Sequence, residues 1–337
     1  MTDDFRDDLL ATPADGMPEG FFDRFVLNLH PADTALPCLV FGLGVYPVRD
    51  VVDGFVVATV GETQRNLRFS TEVSGGDGHR VGPFSFVVAE TMRQWHLTLD
   101  DNPTGVTFDL TWTARTLAWT GGVAVTNADG SATTFDHLFQ SGRYAGSLSV
   151  DGTTTSVDGW WGQRDRSRGV RTMAGGQGLH LWVQAQLPTC SIGFLAVEDR
   201  QGGRLLLEGA VMHEDGRLDD IVDVRHDLVF DDGLDLRRGL LHVATASGAA
   251  YVLDCDASAR GGYMAGGGYG GHHGRRRGSD HLEHDSYPLD GSVGPRTLDS
   301  ALVDRATRFT CGDEVGFGIL EFARSRSAAY TYRPTAG

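Results

Sequence analysis

The sequence is poor in cysteine, and its four cysteines, Cys38, Cys190, Cys255 and Cys311, lie far apart. No C-x-x-C pair occurs, which argues against a zinc ribbon, a dithiol redox motif and a disulfide framework. Reduced thiols in a cytoplasmic protein are the expectation. The opening stretch MTDDFRDDLLATPADG has no basic segment leading into an apolar one, so it does not read as a secretory signal. No apolar run approaches the roughly 20 residues of a spanning helix, and no transmembrane segment is expected. A G-x-S-x-G elbow, a P-loop and an H-E-x-x-H helix are all missing. FGLGVYP (41–47) has glycines but no helix after them, so it is not a dinucleotide fingerprint. Basic residues number 29 against 45 acidic ones, a net charge of −16, which argues against nucleic acid or an anionic membrane as partner.

What the sequence does contain is alternation. FVLNLH (25–30), VVDGFVVATV (51–60), LRFSTEV (67–73), FSFVVAE (84–90), WHLTLD (95–100) and VTFDLTWTA (106–114) mostly alternate apolar with polar residues. That period of two belongs to half-buried strands. SGGDGH, DDNPTG, TNADGS and VDGT separate them, supplying the chemistry that turns need. SLSVDGTTTSVDGWWG reads as a hairpin about Asp151-Gly152. A second series follows: LHLWVQAQL (179–187), IGFLAVED (192–199), GRLLLEGAVM (203–212), VDVRHDLVF (222–230), LDLRRGLLHVATA (234–246) and AAYVLDCDA (249–257). Short strands at intervals of about ten residues point to sandwiches or closed barrels. At 337 residues, with 40 % hydrophobic and 22 % charged residues, two globular units are expected. The boundary falls between about 170 and 195 and is set at 178/179. A polar segment, 1–19, precedes an N-terminal domain, 20–178, and a C-terminal domain, 179–330.

ARGGYMAGGGYGGHHGRRRGSDHLEHDSYPL (259–289), in the C-terminal domain, breaks the rhythm. His272, His273, His281 and His284, with Asp280 and Glu283, invite a metal reading. Ordering ligands on so glycine-rich a chain is costly, so no metal is expected and a solvated loop over a cavity mouth is preferred.

GWWGQRDRSRGVR (159–171) gathers four arginines around one carboxylate. Continued as a strand, it places Trp161, Gln163, Asp165 and Ser167 on one face and Trp160, Arg164, Arg166 and Arg168 on the other. The face of Asp165 reads as the lining of a barrel, and the bland alternative is an Asp165–arginine ion pair. His137 alternates with Phe135 and Phe139, either as a core group or as a second acid–base partner reaching a cavity. His96 and His180 are read as structural, and Glu321 in GILEFA is expected to pair with an arginine. The cluster Phe108, Trp112, Trp119, Trp160, Trp161 and Trp182 is read mainly as core.

VGPFSFVVAETMRQWHLTLD (81–100), HLFQSGRYAGSLSVDG (137–152) and GWWGQRDRSRGVR together resemble a broad family that contains carotenoid 1,2-hydratases, kievitone hydratase-like proteins and AttH-like proteins. In that family the third stretch often resembles G-x-R-D-H-S-W-G-x-R. Gly162, Arg164, Asp165, Ser167, Gly169 and Arg171 match it, whereas Arg166 and Arg168 stand where histidine and tryptophan are common. GYGG…HG (268–274) and GFGILEFAR (316–324) extend the resemblance over about 20 to 325, toward an uncharacterised bacterial branch. It implies an all-β fold of two lipocalin-like (calycin-type) antiparallel β-barrel domains packed together, a hydrophobic isoprenoid- or polyketide-like ligand, and no cofactor. It further implies a hydratase, dehydratase or cyclase acting on a carbon–carbon double bond by acid-initiated addition. The alternative is a non-catalytic carrier of a lipophilic molecule. Asp165 and His137 are the candidate catalytic residues, with Trp160, Trp161, Gln163, Ser167, Arg164 and Trp112 as candidate substrate contacts. The oligomeric state is open, a homodimer included.

Overall fold

The structure, a computed structural model, describes residues 7, 13–32, 37–75, 79–126, 129–171 and 176–336. The first strands are β1 Phe21–Leu29, β2 Cys38–Tyr46, β3 Val51–Val60, β4 Thr63–Thr71, β5 Arg80–Val81 and β6 Phe84–Glu90. Next come β7 Gln94–Leu99, β8 Val106–Ala114, β9 Trp119–Thr126, β10 Ala132–Val150, β11 Thr153–Ser156 and β12 Trp161–Val170. The second series is β13 Gln177–Gln186, β14 Cys190–Asp199, β15 Arg204–His213, β16 Leu218–Phe230, β17 Leu236–Thr245 and β18 Ala250–Asp256. It closes with β19 His281–Pro288, β20 Val303–Cys311 and β21 Glu314–Arg324. Among the described residues the helical pieces are two single 3-10 turns, and no helix is long and apolar enough to cross a membrane.

The fold is all-β, as the alternation predicts, but the two halves differ. Strands β13 to β18, β20 and β21 form a closed eight-stranded antiparallel barrel. The first half is an open, curled sheet in the order β19-β4-β3-β2-β1-β12-β10-β8-β7-β6-β5, with β9 and β11 on β10. The predicted hairpin is present: Val150 pairs with Thr153, and Asp151 and Gly152 take the positive φ of 49° and 79° that its tight turn demands.

Period-two burial builds three apolar layers. Phe25, Leu27, Phe41, Leu43, Phe84, Trp95 and Trp112 fill the inside of the curl. Leu181, Val183, Phe194, Phe309, Leu320 and Phe322 fill the barrel. Phe22, Phe55, Phe135, Phe139, Trp182, Leu195 and Ile319 form the seam between the outer sheet face and the barrel's outer wall. An eight-stranded barrel is just wide enough for its own side chains.

Residues 259–289 form the solvated loop expected from their composition only in part, at 275–280, which is mostly exposed. Residues 261–268 are buried, and β19 crosses to the N-terminal sheet, where His281 pairs with Ser70 and Pro288 with Thr63. Glycine marks close backbone approach there, not solvation. A Cβ on Gly262, which has φ +73°, would lie 1.9 Å from the Asp304 carbonyl oxygen, and one on Gly266 2.0 Å from Asn66 Oδ1.

Candidate active site

A cavity of about 960 Å³ lies in the seam, its walls drawn from the sheet, the barrel and the crossing segment. That volume is at the upper end of small-molecule pockets. Phe22, Val26, Val123, Phe135, Trp182, Leu195, Val197 and Leu302 give it apolar and aromatic walls, interrupted by carboxyl and imidazole groups and by Arg24, Arg49, Arg171 and Arg200. The barrel interior expected to hold the ligand is filled, so the chamber is between the two units and not inside either.

Strand parity along β12 is as predicted, but its two faces lead elsewhere. Asp165 and Ser167 reach the cavity from the outer sheet face. Arg164 and Arg166 point into the curl, and neither pairs with Asp165. Arg164 lies over the rings of Trp95 and Trp112 and bonds Asp7 at 2.6 Å, and Arg166 bonds Asp23 at 2.8 Å. Both arginines are fully buried and each has its own carboxylate. Asp165 is thereby left to a different partner.

That partner is His137. Antiparallel pairing sets His137 opposite Ser167 and Phe139 opposite Asp165, so the imidazole and the carboxylate share a face one diagonal apart. His137 Nε2 donates to Asp165 Oδ2 at 2.6 Å, and Nδ1 bonds Glu208, which β15 of the barrel supplies. Burial works against charge on the ring, but the carboxylates of Asp165 and Glu208 outweigh it and raise His137 from 6.5 to about 9. At neutral pH the group is an imidazolium clamped between carboxylates from the two units, 3 % exposed.

A second cluster faces the same cavity from the barrel. Asp304 on β20 pairs across the ladder with Glu321 on β21, and His180 of β13 bonds Glu321 at 2.6 Å. Burial, then the neighbouring Glu321 and the hydrogen bond to it, and Asp165 beyond, hold Asp304 well above the ordinary carboxylate range. Burial pushes Glu321 the same way, but His180 and Arg171 overcome it and leave Glu321 below its usual value. Glu321 therefore pairs with histidine and a second carboxyl, not primarily with the arginine expected.

A third cluster closes the end of the cavity. His273 Nδ1 meets Asp53 at 3.1 Å, Gly274 donates its backbone N–H to Asp53, and Arg24 contacts Asp53 at 3.3 Å and Tyr46 Oη. Burial and Arg24 lower His273 to about 4, so its imidazole is neutral. Among the described residues no three histidine, cysteine, aspartate or glutamate side chains converge as metal ligands would.

Of the eight residues expected at the site, Asp165, His137 and Ser167 line the cavity. Arg164 and Trp112 lie inside the curl, Trp160 packs against that same core, and Trp161 is covered by Arg115 and Arg143. Gln163 is buried in the seam beside Asn28 and Gln186, away from the cavity. The residues missed are Glu208, Asp304, Glu321, His180 and the Arg24–Asp53–His273 group. One was within reach: counting eight residues each way from the tight turn Gly312–Asp313 sets Asp304 opposite Glu321.

Residues 9–329 match a family of unknown function, DUF8625. The chain belongs to that family. No curated protein matches it in sequence. Three solved structures share its architecture over most of its length. An AttH-like protein from Nitrosomonas europaea is 11 % identical with a TM-score of 0.61, covering 96 % of this chain and 98 % of that one. Kievitone hydratase from Nectria haematococca is 14 % identical with a TM-score of 0.53, covering 92 % and 91 %. CghA is 13 % identical with a TM-score of 0.55, covering 94 % and 96 %, and is also similar in a form holding Sch210972. At such identities the likeness is one of fold.

Proposed function

We propose that this chain is a cofactor-independent hydratase, dehydratase or cyclase that acts on a carbon–carbon double bond of a hydrophobic small molecule held in the seam cavity. The observation that carries this reading is the His137 imidazolium hydrogen-bonded to Asp165 on the wall of a chamber of about 960 Å³ that Phe22, Phe135 and Trp182 also line. Acid-initiated addition needs a proton held where bulk water is scarce, a carboxylate near the developing cation, and aromatic walls beside it. Asp165 answers the second need, Phe22, Phe135 and Trp182 the third, and the His137–Asp165 pair takes up the proton that the attacking nucleophile releases. The likeness in fold to a protein called kievitone hydratase is consistent with this chemistry. The chain has no lysine, so a Schiff base on a side-chain amine is excluded.

One feature favours the second reading, a non-catalytic carrier. Both nitrogens of His137 are already engaged, and such a bridge also serves to fasten sheet to barrel. A panel of farnesol, geranylgeraniol and a linear polyene, incubated with protein and followed by chromatography with mass spectrometry, separates the two. An enzyme changes at least one of them by the mass of water or by ring closure, and Asp165→Asn lowers that rate about 10²- to 10⁴-fold while the variant still folds and binds. A wild-type protein that binds these compounds and returns all of them unchanged is a carrier, and the enzymatic reading is then wrong.

A further inference from the structure

We propose that Asp304 is the acid that delivers the proton to the substrate, and that His180 and Glu321 form the path that reloads it. This rests on the reading of the cavity as a site of addition to a double bond.

Asp304 lines the cavity from the barrel, whereas Asp165 lines it from the sheet. It is 3 % exposed, and its Oδ1 has no hydrogen-bond partner among the described residues. A buried oxygen without a partner in a pocket wall is costly unless something occupies the pocket. The groups facing Asp304 are Glu321 on the adjacent strand, Asp165 across the cavity, and Cys38 and Tyr269 from the sheet and the crossing segment. None of these is a cation. The hydrogen bond from His180 at 2.6 Å and the guanidinium of Arg171 act on Glu321 instead. Two carboxyls side by side in a dry wall hold one proton between them, and this asymmetry places it on Asp304. The ion pair at His137 has no comparable proton, because both of its N–H groups already point at carboxylates.

The reaction then balances as follows. The Asp304 O–H bond breaks as the alkene π pair forms a new C–H bond, leaving Asp304 as carboxylate and a cation on the adjacent carbon. A lone pair of water, or of a nucleophile within the substrate, forms the second bond to that carbon. The proton this nucleophile gives up goes to Asp165 and on to solvent. His180, whose side chain is 21 % exposed, passes a proton through Glu321 to restore Asp304. Water adds across the double bond and nothing is oxidised or reduced.

Two measurements test this. Infrared spectroscopy of the ligand-free protein at neutral pH should show the carbonyl stretch of a protonated carboxyl, lost in Asp304→Asn and kept in Asp165→Asn. On whichever panel alkene the wild type converts, Asp304→Asn should lower kcat about 100-fold or more with KM little changed, and Asp304→Glu should recover part of it. Glu321→Gln should keep the fold and slow turnover more at high pH, where reloading limits. A wild type without the band, or an Asp304→Asn protein that folds and turns over normally, overturns the assignment while leaving the reaction standing. A band that behaves as described in a protein converting no alkene overturns the reaction, and the role of Asp304 falls with it.

Discussion

The clamp at His137 makes stability depend on pH in a direction that can be calculated. In the folded chain His137 keeps its proton to about pH 9, whereas an ordinary histidine in the unfolded chain releases it near 6.5. Below pH 6.5 both states are protonated and the full contribution is present. Between 6.5 and 9 the unfolded chain loses its proton first, so stability falls, and above 9 the contribution is gone. The gap is about 2.5 units, worth about 3 kcal/mol at 1.36 kcal/mol per unit, of which about 2 kcal/mol disappears between pH 6.5 and 8.5. The comparison with the variant cancels the contributions of the other buried groups, Asp304 with its raised carboxyl among them. His30 and His273 are lowered to about 3 and about 4, so their influence is felt below 6.5. The buried thiols of Cys38 and Cys255 are raised, so they matter only where an exposed thiol ionises, near 9. Urea midpoints for wild type and His137→Gln at pH 6.5 and 8.5 give the measurement. Wild type should lose about 2 kcal/mol more than the variant over this interval. Parallel pH dependences would mean that His137 is not an imidazolium in the native protein.

Two further outcomes follow from the inner face of β12. Asp7 accepts hydrogen bonds from Arg164, from Trp95 Nε1 and from the Met92 backbone, so Asp7→Ala strands a buried guanidinium and should cost about 3–5 kcal/mol in urea unfolding. Replacing both partners, as Asp7→Leu with Arg164→Met, should cost less than Asp7→Ala alone. Gly162→Ala should lower stability by about 1–3 kcal/mol, since its Cβ would stand 1.9 Å from the Asn28 carbonyl oxygen and 2.4 Å from the Tyr144 ring. An alanine variant with an unchanged thermal midpoint would refute that packing.

These cases show which kinds of information the sequence carries. Period-two alternation is local, so strand positions, the Asp151-Gly152 turn and the opposite facing of Asp165 and Arg164 were all legible from it. What a face looks onto is not local. The same alternation that put Asp165 on one side cannot say whether that side is a barrel lumen or a seam, and the answer depended on how two sheets pack. Glycine at 262 and 266 looks alike in sequence whether it loosens a loop or lets two backbones touch, and only the neighbours at Asp304 and Asn66 decide it.

The same distinction explains why half of the candidate chemistry was hidden. The Asp165–His137 diagonal lies within one sheet and is carried by a motif, but Glu208 comes from β15 and Asp304 from β20, far along the chain. A barrel filled by its own side chains can offer chemistry only on its outer wall, and an open sheet packed with phenylalanine and tryptophan can do so only on its outer face. The seam is therefore where opposing carboxyls can be desolvated together without being buried in either core. A carboxylate paired with an imidazolium on one wall and a protonated carboxyl on the other gives the difference in proton affinity that acid-initiated addition requires. Separating those walls by loosening the seam, as Glu208→Gln does at its single bond to His137, should depress turnover before it unfolds either sheet.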